Sequence, residues 1–166
     1  MNRGLWRVAY KFAFPGTWTL AFKGTTLRVE VAPYPESTFV PPAGPGCSPP
    51  SPANGITHEA RGSGTLWALL DVGKLGNPHA AVLDNAVGRE IKIVWRMDGS
   101  GELRLTAVAP DGSTLAPNSL EAHDGSNWER PGDEWGSGFT FSQPGCWQLH
   151  AERSNNVGDL WLLVRS

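Results

Sequence analysis

Eight tryptophans, four histidines, two cysteines and one carboxylate-rich run are the residues whose types could do chemistry here. The run is His123-Asp124-Gly125-Ser126-Asn127-Trp128-Glu129-Arg130-Pro131-Gly132-Asp133-Glu134-Trp135. Trp128 and Trp135 stand beside Asp124, Asp133 and Glu134. An aromatic ring next to carboxylates can stack on a sugar ring or recognise a partner. The plainer reading is a loop that folds back, with its indole rings capping the edge of the core. Asp124, Glu129, Asp133 and Glu134 also supply the oxygen ligands that Ca²⁺ takes, but their spacing is not that of an EF-hand loop. A solvated acidic loop accounts for them, and no metal or cofactor is expected.

Cys146 and His150 have a Cys-x3-His spacing. On one strand, residues four apart share a face, so a blue-copper ligand pair is conceivable there. It fails if Cys146 is bridged, because copper needs the thiolate. Cys47 and Cys146 are far apart and form no Cys-x-x-Cys. Either both are buried thiols or one disulfide closes a long loop, and the second would place the protein in an oxidising compartment. For nucleophilic catalysis there is no Gly-x-Ser-x-Gly; Gly62-Ser63-Gly64 and Gly136-Ser137-Gly138 read as turn glycines at strand starts. No phosphate loop or dinucleotide fingerprint is present, and nothing singles out an acid and a base among the carboxylates. The expectation is a protein that is not an enzyme.

These residues must be positioned by strands. The chain has 166 residues with net charge −2, 14 basic against 16 acidic side chains and no Lys/Arg cluster, which argues against nucleic acid as partner. No apolar run approaches the length of a membrane span. The start, Met1 to Arg7, has no apolar stretch of signal-peptide type. Twenty glycines and fourteen prolines suit strands and turns. Period-two alternation marks Ile91, Ile93, Trp95 and Met97 as one face, and Leu103, Leu105 and Ala107 as another. Asp98-Gly99-Ser100-Gly101 between them predicts a hairpin, and Asp111-Gly112-Ser113 another turn. Gly64–Leu70, Phe139–Phe141, Trp147–Glu152 and Leu160–Val164 read as further strands, whereas 77–85 allows one helical turn. Trp95 and Trp147 fall at core positions.

Three regions follow: strands over 1–32, a proline-rich linker over 33–55 with eight of the fourteen prolines, and a β domain over 56–166. An internal repeat joins the ends. Phe12-Ala13-Phe14-Pro15-Gly16-Thr17-Trp18-Thr19-Leu20 matches Phe139-Thr140-Phe141-Ser142-Gln143-Pro144-Gly145-Cys146-Trp147-Gln148-Leu149 with two residues inserted, and Leu27–Val31 parallels Leu160–Val164. The N-terminal copy has only the last part of the unit. A lone hairpin is marginal in water, so Phe12, Phe14, Trp18, Leu20 and Phe22 need a partner. They pack on their own domain, insert into a neighbouring molecule, or belong to an upstream domain.

Trp135-Gly136-Ser137-Gly138-Phe139-Thr140-Phe141 through Pro144-Gly145-Cys146-Trp147 resembles uncharacterised bacterial exported domains that end in a Phe-Pro-x-x-Gly-Cys-Trp hairpin. Gly64-Thr65-Leu66-Trp67 and Lys92-Ile93-Val94-Trp95-Arg96 match that family's other strands, and the likeness covers about 47–166. It departs at Ser142-Gln143, where the family places proline soon after phenylalanine. The resemblance implies an immunoglobulin-like sandwich, an exported location and a Cys47–Cys146 bridge.

The expected fold is all-β: an immunoglobulin-like, Greek-key β-sandwich with an additional N-terminal hairpin and a proline-rich linker. The expected role is an extracellular or cell-surface interaction or structural module, self-assembling by strand exchange through residues 5–32. Its partner is then a second copy or another surface protein. A polysaccharide ligand held by the loop tryptophans is the alternative, and an enzyme the remote third.

Overall fold

The computed structural model describes residues 16–31, 46–55, 57–71, 76–77, 79–123 and 126–166. The described residues are all-β, with no helix, and form two units, residues 1–37 and 38–166.

In the first unit, β1 (Gly16–Phe22) and β2 (Thr25–Val31) pair antiparallel as a two-stranded hairpin. Alternating Thr, Trp, Leu and Val favour extended backbone. The two-residue turn Lys23-Gly24 has φ of 43° and 79°, the left-handed pair that matches the twist of a hairpin. The register sets Gly16 opposite Val31, Trp18 opposite Val29 and Leu20 opposite Leu27.

The second unit is a sandwich of two sheets. Its strands are β3 (Ala53–Asn54), β4 (Glu59–Arg61), β5 (Trp67–Asp71), β6 (Val82–Leu83), β7 (Glu90–Met97), β8 (Arg104–Val108), β9 (Thr114–Leu115), β10 (Ser119–His123), β11 (Asp133–Thr140), β12 (Gly145–Arg153) and β13 (Asn156–Val164). One sheet runs β10-β11-β7-β5-β4-β3, the other β6-β13-β12-β8-β9. Inward residues of both sheets form one core: Ala68, Leu70, Ile93, Trp95, Met97 and Phe139 from the first, and Leu105, Trp147, Leu149, Leu160 and Leu162 from the second. Burying such side chains contributes roughly 1.5–3 kcal/mol each before conformational entropy is subtracted. The two indoles inside it are satisfied, Trp95 Nε1 donating to Ser137 Oγ at 2.8 Å and Trp147 Nε1 to the Gln143 carbonyl at 3.1 Å. The core faces of β7 and β8 are those the alternation picks out.

Three local expectations change. Asp98–Gly101 is no hairpin turn: β7 is already flanked by β5 and β11, so the chain crosses to β8 in the other sheet. Gly99 and Gly101, at φ of 128° and 78°, let it turn over, and the β12–β13 turn holds it, with Ser100 N donating to Asn155 Oδ1 at 2.9 Å. Residues 80–83 form no helical turn. Val82 and Leu83 run parallel to β13, where Leu163 N and Arg165 N donate to the Ala81 and Leu83 carbonyls. Finally, residues 46–54, read as linker, belong to the sandwich. Ser51 is fully buried; its N–H donates to the Trp161 carbonyl and its hydroxyl accepts from Trp161 N. The flanking Pro50 and Pro52 have no N–H to lose, which suits a sheet rim.

Cys47 and Cys146 form a disulfide across 99 residues of sequence, with Cα atoms 5.6 Å apart. It fixes the proline-rich segment to the start of β12. The register of β12 and β13 sets Gly145 opposite Val164, Trp147 opposite Leu162 and Leu149 opposite Leu160. The β1–β2 hairpin has the same register, residue for residue, so the sequence repeat is also a structural one.

Candidate functional site

The carboxylate-rich run divides between a loop and a strand. Residues 126–132 cross the outer face of the six-stranded sheet, and β11 begins at Asp133. Alternation on β4, β5, β7 and β11 puts Glu59, Arg61, Trp67, Arg96 and Glu134 on that outer face, and the loop covers them. Arg130 grips Glu59 with two nitrogens, each at 2.9 Å from its own carboxylate oxygen, the fork geometry that makes such pairs strong. Trp128 Nε1 also donates to Glu59 Oε1. Glu59 is 4% exposed. Burial alone would raise its pKa, but the hydrogen bonds from Arg130, Trp128 and Thr57 and the charge of Arg130 outweigh it, and the carboxyl titrates below the usual glutamate value. The guanidiniums of Arg61 and Arg130 lie over the Trp67 ring, 4.7 and 4.4 Å from its centroid. Burial and the neighbouring Arg130 charge lower the Arg61 pKa. Arg96 donates to the Arg130 and Gly132 carbonyls at 2.8 and 3.1 Å, which ties the loop down at its far end.

A cleft of about 570 Å³ opens where β10 ends and β11 begins. Arg96, Glu102, His123, Asp133, Glu134 and Arg153 supply its polar lining, and Trp135 contributes to the wall. Glu134 has a side chain only 2% exposed. Its Oε2 takes everything: Arg96 Nε at 3.0 Å, Arg96 Nη2 at 2.9 Å and the Ser126 hydroxyl. Oε1 is buried and has no hydrogen-bond partner among the described residues. His123 Nδ1 stands 3.8 Å from it, beyond hydrogen-bond length.

Arg153 closes the base of the cleft. It sits at the inward position that ends the alternation Trp147, Leu149, Ala151 on β12, and its side chain is 3% exposed. Four of its N–H donors serve the Met97 carbonyl at 2.8 Å, the Gly101 carbonyl at 2.8 and 3.0 Å, and Asp133 Oδ2 at 2.7 Å. The guanidinium lies 4.5 Å from the Trp135 ring centroid.

Asp133, Glu134 and Trp135 thus meet at one cleft, while Trp128 turns away to Glu59 and Asp124 lies outside the described residues. Trp135 is not on an exposed loop. It faces Trp95 across β11 and β7 and is 6% exposed, so its ring does not form an open platform for a sugar. Its place in the strand follows from pairing that begins two residues earlier, at Asp133 with Met97. Cys146 is in the disulfide and offers no thiolate to copper; His150 instead contacts Asp159 through Nδ1 at 2.7 Å. Of the residues expected to serve assembly, Phe12 and Phe14 lie outside the described residues. Trp18 and Leu20 are half-buried in the hairpin, and Phe22 ends β1 opposite Thr25. Sequence reasoning missed Glu59, Arg96, His123, Arg130 and Arg153. Only Arg153 carried a signal, as a charge at an inward position of a strand.

Comparison with protein-family models, with curated proteins and with solved structures finds no match to this chain.

Proposed function

We propose that this protein is a non-enzymatic, extracytoplasmic module with an immunoglobulin-like sandwich, and that it joins to a second copy through the β1–β2 hairpin. One observation carries the reading. The hairpin repeats the register of β12–β13, yet the matching side chains meet opposite fates. Trp147, Leu149, Leu160 and Leu162 are at most 1% exposed in the sandwich core. Their counterparts Trp18, Leu20 and Val29 are only half-buried, and Leu27 is 59% exposed. Leu27, which the repeat sets at the place of a core leucine, is exposed, and water is a poor partner for it. The two seven-residue strands also have no pairing beyond each other among the described residues. Main-chain bonds at such edges give affinity, and alternating side chains give register.

The disulfide is compatible with an oxidising compartment and so supports location outside the cytoplasm. Head-to-tail exchange that does not close into a ring builds a filament.

The test compares the intact chain with a variant lacking residues 1–32. The intact chain is expected to associate, and the variant to be a folded monomer with its disulfide intact. A shortened variant that assembles as well as the intact chain would overturn the proposal.

A further inference from the structure

The hairpin needs a place to land on the second copy, and the strand edges of the sandwich narrow the choice. β3, β6 and β9 end their sheets with two residues each, too short to template a longer strand. Two of them are also closed off: Ala53 N donates to the His79 carbonyl at 3.1 Å, and the Val82 carbonyl accepts from Gly76 N at 3.0 Å. The flank of β13 beyond β6 is closed as well. Ser51 meets both backbone groups of Trp161, and Ser63 meets both of Asp159.

β10 is different. It is a five-residue edge strand, and among the described residues it pairs only with β11. About half of its main-chain N–H and C=O groups therefore point away from the sheet. Lysine and proline commonly blunt such an edge, and Ser119-Leu120-Glu121-Ala122-His123 has neither.

Its side chains suit β2. Leu120 packs against the core, so Ala122 shares its inner face while Ser119, Glu121 and His123 stand on the outer one. On β2, Leu27 and Val29 share one face, and Thr26, Arg28 and Glu30 the other. Glu121 and Arg28 are both exposed, and neither has an ion-pair partner among the described residues. Strand pairs of more than two residues in this molecule are antiparallel. Antiparallel addition with Arg28 opposite Glu121 sets Val29 opposite Leu120 and Leu27 opposite Ala122. Both apolar residues then extend the inner face, and the exposed Leu27 is covered. Glu30 falls beside Ser119 and Thr26 beside His123, so no like charges meet. β1 has no charge to offer Glu121, since its matching face is Thr17, Thr19 and Ala21.

We propose that the β10 edge receives the hairpin of a second copy, which adds through β2, antiparallel, with Arg28 paired to Glu121. This site rests on the assembly proposed above and names its acceptor. Hairpin and edge are different parts of the chain, so the contact is head-to-tail.

The experiment measures the mass of full-length charge variants by light scattering over a dilution series. Arg28→Glu and Glu121→Arg should each raise the concentration of half-association by about threefold to tenfold. The doubly reversed chain should return to within about twofold of the parent, because the pair is restored. Leu27→Lys should weaken association, and Val157→Lys, at an exposed apolar position on β13, should not. Amide exchange of the intact chain reads the edge itself: residues 119–123 should gain protection between dilute and concentrated samples. A parent with the mass of one chain at every concentration overturns the assembly and this inference with it. A parent that associates while both single reversals associate equally well overturns this inference alone. So does a double reversal that recovers nothing, or association without added protection at 119–123.

Discussion

Two buried charges decide how the outer face and the base of the sandwich hold together. Arg153 satisfies carbonyls from the β7–β8 crossover, pairs with Asp133 and covers Trp135. Replacing it by Ala leaves those carbonyls without donors, and the expected loss is about 1–3 kcal/mol in urea unfolding. Lysine should recover only part of this, because a point charge cannot reach three acceptors in a plane. Equal stability of Arg153→Lys and the parent would contradict that role. Glu59 makes the complementary case for pH. Its folded pKa is lowered, so its contribution is fully present above the ordinary glutamate pKa and is lost as pH falls through the folded value. Glu59→Gln should therefore be less stable than the parent at pH 7, and the gap should narrow between about pH 5 and pH 3. A gap that stays constant across that range would show that the hydrogen bonds, and not the carboxylate charge, do the holding.

At the level of elements, the strands were legible and their partners were not. Ile91, Ile93, Trp95 and Met97 announce a core face by alternation alone, and β7 has it. Asp98-Gly99-Ser100-Gly101 has hairpin chemistry, yet the same positive φ values serve a crossover between sheets. Local turn propensity is blind to which neighbour a strand already has. Trp135 was misplaced for a related reason: charged neighbours made it read as loop, while pairing with β7 buried it. The site was legible as a composition, since Asp133, Glu134 and Trp135 do line one cleft. Glu59, Arg96 and Arg130 were not, because their partners come from segments 34 to 71 residues away. Gly132 offers a direct test of the loop strap. At φ of 90°, with an added Cβ 2.2 Å from the Met97 carbonyl carbon, Gly132→Ala should lift residues 126–132 from the sheet. Loss of protection at the Trp128 and Trp135 indole N–H groups in hydrogen exchange would show it; unchanged protection would contradict the strap.

For the molecule as a whole, the disulfide and the repeat frame the account. Cys47 and Cys146 tie the end of the proline-rich segment to β12. Chain-entropy reasoning for a loop near a hundred residues gives up to about 4–5 kcal/mol. Cys47→Ser with Cys146→Ser should lower the unfolding midpoint by an amount of that order or less without changing the strand content. The central claim is that the hairpin face, matched in register to β12–β13, is covered by another copy. The measurement that tests it most directly is the solution mass of the intact chain by light scattering over a dilution series. A second copy on that face gives a mass above 17.9 kDa that falls toward that value on dilution. A constant mass of one chain at every concentration would contradict it.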